Sequence, residues 1–374
     1  TDAEQLHWPL PANQITFVEI LKEAGYWTGQ AGKWHLGEAV KDRFHKIMDV
    51  PVGGFQLKAD GTMETAANES GCEDWIPILN ARDKDKPFFL WLAAVDPHRD
   101  YKRGIIANPH TLEDIVLPPY FPDAKEVRED FSLYYDEISR LDSFVGDFIS
   151  ELDKQNLSEN TLILFISDNG RPFPRDKTTL YDGGIKTPWI VKWPGKVKKG
   201  SVSKSLLSSV DIAPAFLKLG NAQIPDFFEG FDFSEILIDP ETEIRHSVFA
   251  EDHWHDFEDY SRAVRTKKYK YIRNFYPDLP NTPSADALRS LTFRSMQKLR
   301  DEGKLNEVQM RCFLSPRPGE ELYDIQNDPF ELNNLASDVA YSSILTQLQK
   351  EMNQIRLNTN DALPSKRTPD EFDR

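Results

Sequence analysis

The stretch that decides the fold class is residues 161–170, Thr-Leu-Ile-Leu-Phe-Ile-Ser-Asp-Asn-Gly, in which an apolar run stops at a polar tripeptide. Residues 87–99, Pro-Phe-Phe-Leu-Trp-Leu-Ala-Ala-Val-Asp-Pro-His-Arg, repeat this arrangement. A continuous apolar run is typical of a strand that helices cover on both faces. Ligand sites in open α/β sheets lie at the carboxyl ends of such strands. The two stretches therefore predict a mostly parallel central sheet, flanked by helices, with polar site residues at one edge.

A third loop, Gly-Lys-Trp-His-Leu-Gly at residues 32–37, follows a predicted strand at residues 26–31. Because it resembles the other two strand ends, we expect all three loops to share one site. Helices are predicted between these strands. Thr16 and Glu19 form a capping box that begins one helix, and residues 125–155 carry a single apolar stripe at alternating spacings of four and three.

The chain has 374 residues, more than the ~250 to 300 at which a single core stops growing. Beyond residue 240 the pattern changes to short strands, at residues 247–250 and 269–275, and to helices near residues 288–308 and 342–357. We therefore predict an α/β core over residues 1–240 and a smaller α+β subdomain over residues 241–374.

Composition excludes several classes of protein. The formal net charge of −16 argues against a nucleic-acid partner, because phosphate binding needs a basic face. No apolar stretch reaches the ~18 residues of a membrane span. Cys72 and Cys312 are the two cysteines, and a single pair cannot build a disulfide framework.

The polar strand ends carry candidate ligand groups. Asp168 and Asn169 offer carboxylate and amide oxygens, which suit Ca²⁺ or Mg²⁺, although Asn-Gly also favours an ordinary tight turn. His98, Lys33 and His35 would supply N–H donors to an anion. The alternative for His98 is a purely structural role, as a surface histidine in a proline turn.

The joint pattern of these motifs resembles the type I, formylglycine-dependent sulfatases of the alkaline-phosphatase superfamily. The matching segments are residues 32–37, Asp-Pro-His at 96–98, Ser-Asp-Asn-Gly at 167–170, Lys-x-Thr-Leu-Tyr-x-Gly-Gly-Ile-x-x-Pro at 177–188, and Glu-Leu-Tyr-Asp-Ile-x-x-Asp-Pro-x-Glu-x-x-Asn-Leu at 321–335. They span nearly the whole chain. Residues 96–99, 118–122 and 167–174 are most similar to the N-sulfoglucosamine sulfohydrolase (sulfamidase) branch.

The resemblance implies hydrolysis of a sulfate ester or sulfamate on a carbohydrate, such as a glycosaminoglycan or another sulfated polysaccharide fragment. Asp168 and Asn169 would bind Ca²⁺, with Mg²⁺ as the alternative. His35 would hydrogen-bond the formylglycine, and His98 would also protonate the leaving group. The side chains that would bind the remaining sulfate oxygens are Lys33, His98 and Lys177. The family further implies a periplasmic, secreted or lysosomal location.

The sequence departs from the family at the nucleophile. Formylglycine arises within a Cys/Ser-x-Pro/Ala-x-Arg motif, and neither Cys72 nor Cys312 lies in such a context. The chain also begins at Thr1, where the family sequence would already have passed the nucleophile. We therefore expect an upstream segment of roughly 80 to 120 residues, or two to three βα units. Without it we expect a gap in the sheet and an inactive chain.

The smaller subdomain is expected to contact the sugar, because in the family this unit often lines the substrate pocket. The four residues at the corresponding position are His253, His255, Arg262 and Arg265. The alternatives are a surface loop, or a zinc site built on the His-x-His pair, which would need further ligands. Two other functions stay open at this stage. They are phosphodiester or phosphonate hydrolysis in the same superfamily, and a non-catalytic sugar-binding relative.

Overall fold

The structure is a computed structural model and describes residues 9–50, 55–57, 63–65 and 70–370. The helices are α1 Phe17–Glu23, α2 Trp75–Asn80, α3 Lys125–Lys154, α4 Asp182–Ile185, α5 Ile212–Leu219, α6 Ser234–Ile238, α7 Ala285–Leu288, α8 Leu291–Asp301 and α9 Ser342–Asn358. The strands are β1 Trp27–Lys33, β2 Lys46–Val50, β3 Phe55–Leu57, β4 Met63–Thr65, β5 Phe88–Ala93, β6 Ile163–Ile166, β7 Trp189–Lys192, β8 Ser247–Trp254, β9 Glu258–Thr266, β10 Tyr269–Asn274 and β11 Glu320–Asp324. None of the helices described combines the length and the apolar character that a membrane crossing requires.

The core contains the predicted parallel sheet. Its strands run in the order β2-β1-β5, and both pairings are parallel. β6 pairs antiparallel with β7 as a separate ladder. Helices α2 and α3 bury apolar side chains against β1, β5 and β6 in one cluster. The α/β prediction is therefore confirmed.

Burial of β5 and β6 is less complete than predicted. Both strands are half-buried along their whole length, whereas the apolar runs predicted strands covered on both faces. Within the described residues each pairs along one edge, β5 with β1 and β6 with β7. Their side chains still pack on the same hydrophobic cluster.

Local sequence signals account for the two helices of the core that were predicted. At α1 the backbone N–H of Thr16 donates to Glu19 Oε2 at 2.7 Å, which completes the capping box. The long helix α3 buries the predicted apolar stripe, including Phe131 and Leu152. α3 is important for the site because its buried polar residues hold the loop that follows β5.

The smaller subdomain is built on an antiparallel sheet in the order β11-β10-β9-β8. α9 covers one face, with Leu348 and Met352 in the same cluster as strand residues. α8 packs back on the core, where Met296 joins a cluster with Phe131 of α3. The helix predicted near residues 288–308 is shorter than expected, because α8 ends at Asp301 and is followed by a glycine of positive φ, Gly303 at 67°. The sheet and helix together make the predicted α+β unit.

Candidate active site

His98 lies in the loop after β5, and its ring Nδ1 is hydrogen-bonded to the carbonyl oxygen of Arg99. Since a carbonyl can only accept, Nδ1 carries the proton and Nε2 is the ring nitrogen left for a ligand. Burial lowers the pKa of His98, and nearby Lys177 and Lys33 lower it further against the opposing effect of the Arg99 carbonyl. The imidazole is therefore held neutral in the absence of an anion.

Arg99 anchors this loop to α3. Its guanidinium makes two hydrogen bonds to the Asp130 carboxylate, at 2.8 and 2.9 Å, and both side chains are buried. Its Nε donates to the carbonyl oxygen of Pro172 at 2.8 Å. Asp130 also accepts from the Thr292 hydroxyl at 2.6 Å, at the start of α8. The ion pair thus ties the His98 loop to α3, to the segment after β6 and to the smaller subdomain.

A second buried group supports the same loop from α3. Arg140 donates to both carboxylate oxygens of Asp96, at 2.7 and 2.5 Å, and to Glu137 at 3.0 Å. Two carboxylates thus share one guanidinium. Burial, followed by the hydrogen bond and charge of Asp96, raises the pKa of Glu137 to about 8.

This raised pKa predicts a pH-dependent stability. The Glu137 carboxyl has an ordinary pKa of 4.5 and a pKa of about 8 in the folded protein. Its contribution to the free energy of unfolding is therefore complete below about pH 4.5 and is lost as the pH rises through 8. We expect the melting temperature of the unsubstituted protein to fall between pH 6 and pH 9, and that of Glu137→Gln to fall less. The difference between the two decreases should be roughly 2 °C or more, which corresponds to about 1 kcal/mol in a larger domain. The exposed Glu159→Gln is the matched control and should follow the unsubstituted protein. Parallel pH profiles for all three proteins would contradict the assignment.

Lys33 and Lys177 approach His98 from two other loops. Lys33 is the last residue of β1. Burial is the main cause that lowers the pKa of Lys33. The charge of Asp168 opposes this effect, and the charge of Lys177 adds to it. Lys33, His98 and Lys177 therefore lie within electrostatic reach of one another, and Asp168 lies within reach of Lys33. The structure thus brings together the ends of β1, β5 and β6, as the three similar loops led us to expect.

The turn after β6 presents oxygen atoms to this region. Asp168 is exposed, and its Oδ1 accepts the backbone N–H of Asn169 at 2.9 Å. The Asn169 side-chain amide donates to the Gly170 carbonyl at 2.7 Å, an orientation that leaves its amide oxygen as the ligand atom. A Cβ on Gly170 would meet the Gly183 carbonyl oxygen at 1.8 Å, so close packing fixes the turn.

These two side chains fit part of a ligand set for a hard divalent cation, which takes six to eight oxygens from carboxylates, amides and water. Over residues 9–50 and 70–370, no group of three or more His, Cys, Asp or Glu side chains is arranged to hold a metal. The zinc alternative for the His-x-His pair therefore gains no support from the described residues.

The residue that the resemblance implies as the hydrogen-bond partner of the nucleophile is His35. His35 is exposed in the loop after β1, close in sequence to Lys33. Cys72 and Cys312 are both buried free thiols, and burial is the main cause that raises the pKa of each to about 12. Neither cysteine stands in the Cys-x-Pro/Ala-x-Arg motif from which a formylglycine is formed.

Family comparison agrees with the motif pattern. The sequence profile described as Sulfatase matches residues 1–222, more than half of the chain. The chain belongs to the sulfatase family. A second profile, N-sulphoglucosamine sulphohydrolase C-terminal, matches residues 173–290 of the chain, which supports the sulfamidase-like branch.

Individual relatives agree with the family. An ulvan-active sulfatase of Formosa agariphila is 36% identical over 239 residues, covering 64% of this chain and 40% of its own length. Human N-sulphoglucosamine sulphohydrolase is 25% identical over 376 residues, covering 91% of this chain and 73% of its own. BT4656, solved with its substrate D-glucosamine-2-N,6-O-disulfate, shares the fold, with a TM-score of 0.67 at 19% identity, covering 96% of this chain and 85% of that one. The chain thus spans less than half the length of the first of these relatives.

The four residues predicted to contact sugar lie in different surroundings. His255 is bonded through Nδ1 to Asp256 at 2.9 Å and lines a cleft that Thr178 also lines. The ring of His253 packs against Tyr260, with 5.4 Å between centroids. His255 is thus placed at a cavity that adjoins the Lys177 loop.

Arg262 and Arg265 are engaged elsewhere. Arg262 is 2% exposed and donates to both oxygens of Asp361, at 2.8 and 2.7 Å. Arg265 donates to both oxygens of Asp182, at 3.0 Å each. Because protein carboxylates occupy both guanidinium groups, the structure does not bring these two predicted sugar contacts to the cleft.

Asp286 is a site residue that the sequence analysis missed. It lies on α7, and its carboxylate interacts with Lys177, His98 and Lys33. Burial opposes its ionisation, but Lys177, then the Ser284 hydroxyl and His98, outweigh burial and lower the pKa of Asp286. An isolated acid in a polar segment gives no sequence signal, and only the packing of α7 against the core reveals it.

Proposed function

We propose that this chain supplies the sulfate-binding part of a sulfatase active site that hydrolyses a sulfate ester or sulfamate of a carbohydrate. The observation that carries the proposal is the meeting of Lys33, His98 and Lys177 with Asp168 at the carboxyl ends of three strands. Donors and cations fixed in this way stabilise the charge that develops on the sulfo group. The family match supports the reaction class.

Lys33, Lys177 and His98 have different proposed roles. Lys33 and Lys177 bind sulfate oxygens, and their charges offset those of the ligand. An arriving sulfate raises the pKa of His98 by opposing the desolvation that lowers it. The ring then takes a proton on Nε2, which it can deliver to the leaving oxygen or nitrogen.

Two groups complete the proposed site. Asp168 and Asn169 would hold a divalent cation, Ca²⁺ by preference and Mg²⁺ as the alternative, which supplies Lewis-acid polarisation of a sulfate oxygen. We propose that the formylglycine lies in a part of the protein outside this sequence, because neither Cys72 nor Cys312 stands in its motif. Ser261 begins a Ser-x-Ala-x-Arg match, but its side chain is buried within β9. His35 is the proposed partner of the formylglycine.

A carbohydrate is the proposed substrate because of the relatives and the cleft. One relative is named an N-sulphoglucosamine sulphohydrolase, and a structural neighbour was solved with a sulfated glucosamine. His255 and His253 remain the candidates for sugar contact from the smaller subdomain. A sulfatase acting on such polysaccharide fragments would work in the periplasm, outside the cell or in a lysosome.

Anion binding tests the proposal directly. We expect inorganic sulfate to bind the intact protein in isothermal titration calorimetry, and Lys33→Met to weaken that binding by about tenfold or more, the scale of one charge-assisted hydrogen bond. The control is Lys84→Met, an exposed lysine before β5, at the opposite end of the sheet. Equal sulfate affinity in all three proteins would contradict the proposed site, and a clear preference for phosphate would favour phosphoryl hydrolysis instead.

A further inference from the structure

The short helix α4 lies between two parts of the proposed site. The backbone N–H of Gly170, in the turn after β6, donates to the carbonyl oxygen of Gly184 at 2.7 Å. A Cβ on Gly183 would lie 1.9 Å from Oδ1 of Asp176, and a Cβ on Gly184 would lie 2.3 Å from the carbonyl oxygen of Asp176. Asp176 directly precedes Lys177 in the chain. The turn after β6 and the Lys177 loop therefore both pack against the two glycines of α4.

Asp176 is fully buried and cannot move aside for α4. Its carboxylate accepts hydrogen bonds from the Tyr120 hydroxyl at 2.7 Å and from Arg171 Nε at 2.9 Å. Close-packed groups transmit a displacement instead of absorbing it. A shift of α4 would therefore move the backbone at Asp176 and Lys177, and it would move the turn after β6 as well.

Asp182, the first residue of α4, is held by the smaller subdomain. Its carboxylate accepts two hydrogen bonds from Arg265 of β9, at 3.0 Å each, and its Oδ1 lies 2.6 Å from Lys270 Nζ of β10. Its backbone N–H donates to Glu331 Oε2 at 2.6 Å. Lys270 Nζ also lies 2.7 Å from Glu331 Oε1. Three segments of the smaller subdomain thus fix one residue beside the two glycines.

Stability alone does not explain this cluster of charges. Lys270 and Glu331 are 0% and 1% exposed. Transfer of such charges out of water costs free energy that their attraction often fails to offset, whereas a displaced segment would leave a buried charge unpaired. Burial opposes the ionisation of Asp182, but Lys270, then Arg265, outweigh burial and hold the pKa of Asp182 below its ordinary value. The cluster is therefore suited to fixing the position of α4.

We propose that Asp182 is a positioning residue, through which the smaller subdomain sets the places of the turn after β6 and of Lys177. The inference rests on the proposed function, since Asp168 and Asn169 in this turn would hold the cation and Lys177 would bind the sulfo group. Loss of the anchor displaces both groups together, because both pack against the same two glycines. Such groups are sensitive to position, since a misplacement of ~1 Å can cost about a hundredfold in rate.

The test is isothermal titration calorimetry of the complete enzyme and its Asp182→Asn variant, with Ca²⁺ and inorganic sulfate as separate ligands. The substitution keeps the size of the side chain and removes its charge, while Lys270 stays paired with Glu331. We expect the Kd of each ligand to rise about tenfold, the scale of one charge-assisted hydrogen bond. The matched control is Asp85→Asn, at an exposed acid before β5, which should change neither Kd by more than about twofold.

The two ligands separate positioning from other roles of Asp182. A purely structural role would lower the binding stoichiometry, which reports the folded fraction, and leave both Kd values unchanged. A purely electrostatic role would weaken Ca²⁺ binding but strengthen sulfate binding, because one negative charge is lost. Either result would overturn the inference.

A second variant covers the case in which Asp182→Asn does not fold. Glu331→Gln removes the charged acceptor of the Asp182 backbone N–H, while Lys270 keeps the Asp182 carboxylate as its partner. We expect both Kd values to rise in this variant too, and unchanged values would overturn the inference. If the unsubstituted enzyme binds neither ligand, the proposed function itself fails.

Discussion

The Asp168→Ala variant of the complete enzyme is expected to lose sulfatase activity by ~10³-fold or more in kcat/KM. This corresponds to about 4 kcal/mol of transition-state stabilisation, on the scale of a cation that polarises a reacting oxygen. Asp168 is exposed at the end of β6, so its removal opens no cavity. The fold should therefore persist while divalent metal content falls.

The measurements are steady-state kinetics with an aryl sulfate, metal content by mass spectrometry, and circular dichroism. Glu159→Gln removes an acid from the other end of β6 and should keep both metal and activity. Full activity of Asp168→Ala, or of the metal-stripped enzyme, would exclude Asp168 as a metal ligand.

Replacement of Lys177 by alanine in the complete enzyme is expected to lower kcat/KM by roughly a hundredfold or more, the effect of removing one transition-state donor. The backbone N–H of Lys177 donates to the Arg171 carbonyl at 2.9 Å, and this bond survives truncation of the side chain. The loop should thus keep its position, and the loss should report on the ammonium group alone.

Lys84→Ala, before β5 and exposed, is the matched control and should change kcat/KM by less than about twofold. His98→Ala should resemble Lys177→Ala, whereas His255→Ala should mainly change substrate preference. A Lys177→Ala enzyme with unchanged kcat/KM for every substrate would remove Lys177 from the site.

Helices with strong local signals were predictable from the sequence. The capping box of α1, the apolar stripe of α3 and the final helix all lie within about two residues of the prediction. Their signals are contained in adjacent turns, so no knowledge of tertiary partners is needed. The meeting of the loops at residues 32–37 and 96–99 was also predictable, because the parallel strands β1 and β5 place their carboxyl ends at one edge of the sheet. The loop at residues 167–170 follows β6, which pairs antiparallel with β7, so its approach to the other two loops depends on tertiary packing.

Features that depend on distant partners were not predictable. The carboxylate that pairs with Arg262 is Asp361, 99 residues away, so nothing near Arg262 showed that its guanidinium was already occupied. Asp286 enters the site only through the packing of α7 and α8 against the core. The half-burial of β5 and β6 likewise depends on which strands lie beside them, and an apolar run does not contain that information.

The buried ion pair between Arg99 and Asp130 has a consequence for protein engineering. Asp130 also accepts from Thr292, so one carboxylate on α3 connects the loop of His98 with the first turn of a helix in the smaller subdomain. A chimera that exchanges this subdomain for that of another sulfatase would leave Asp130 with a foreign neighbour. Recombination aimed at new sugar specificity should therefore transfer α3 together with residues 285–301 as one block.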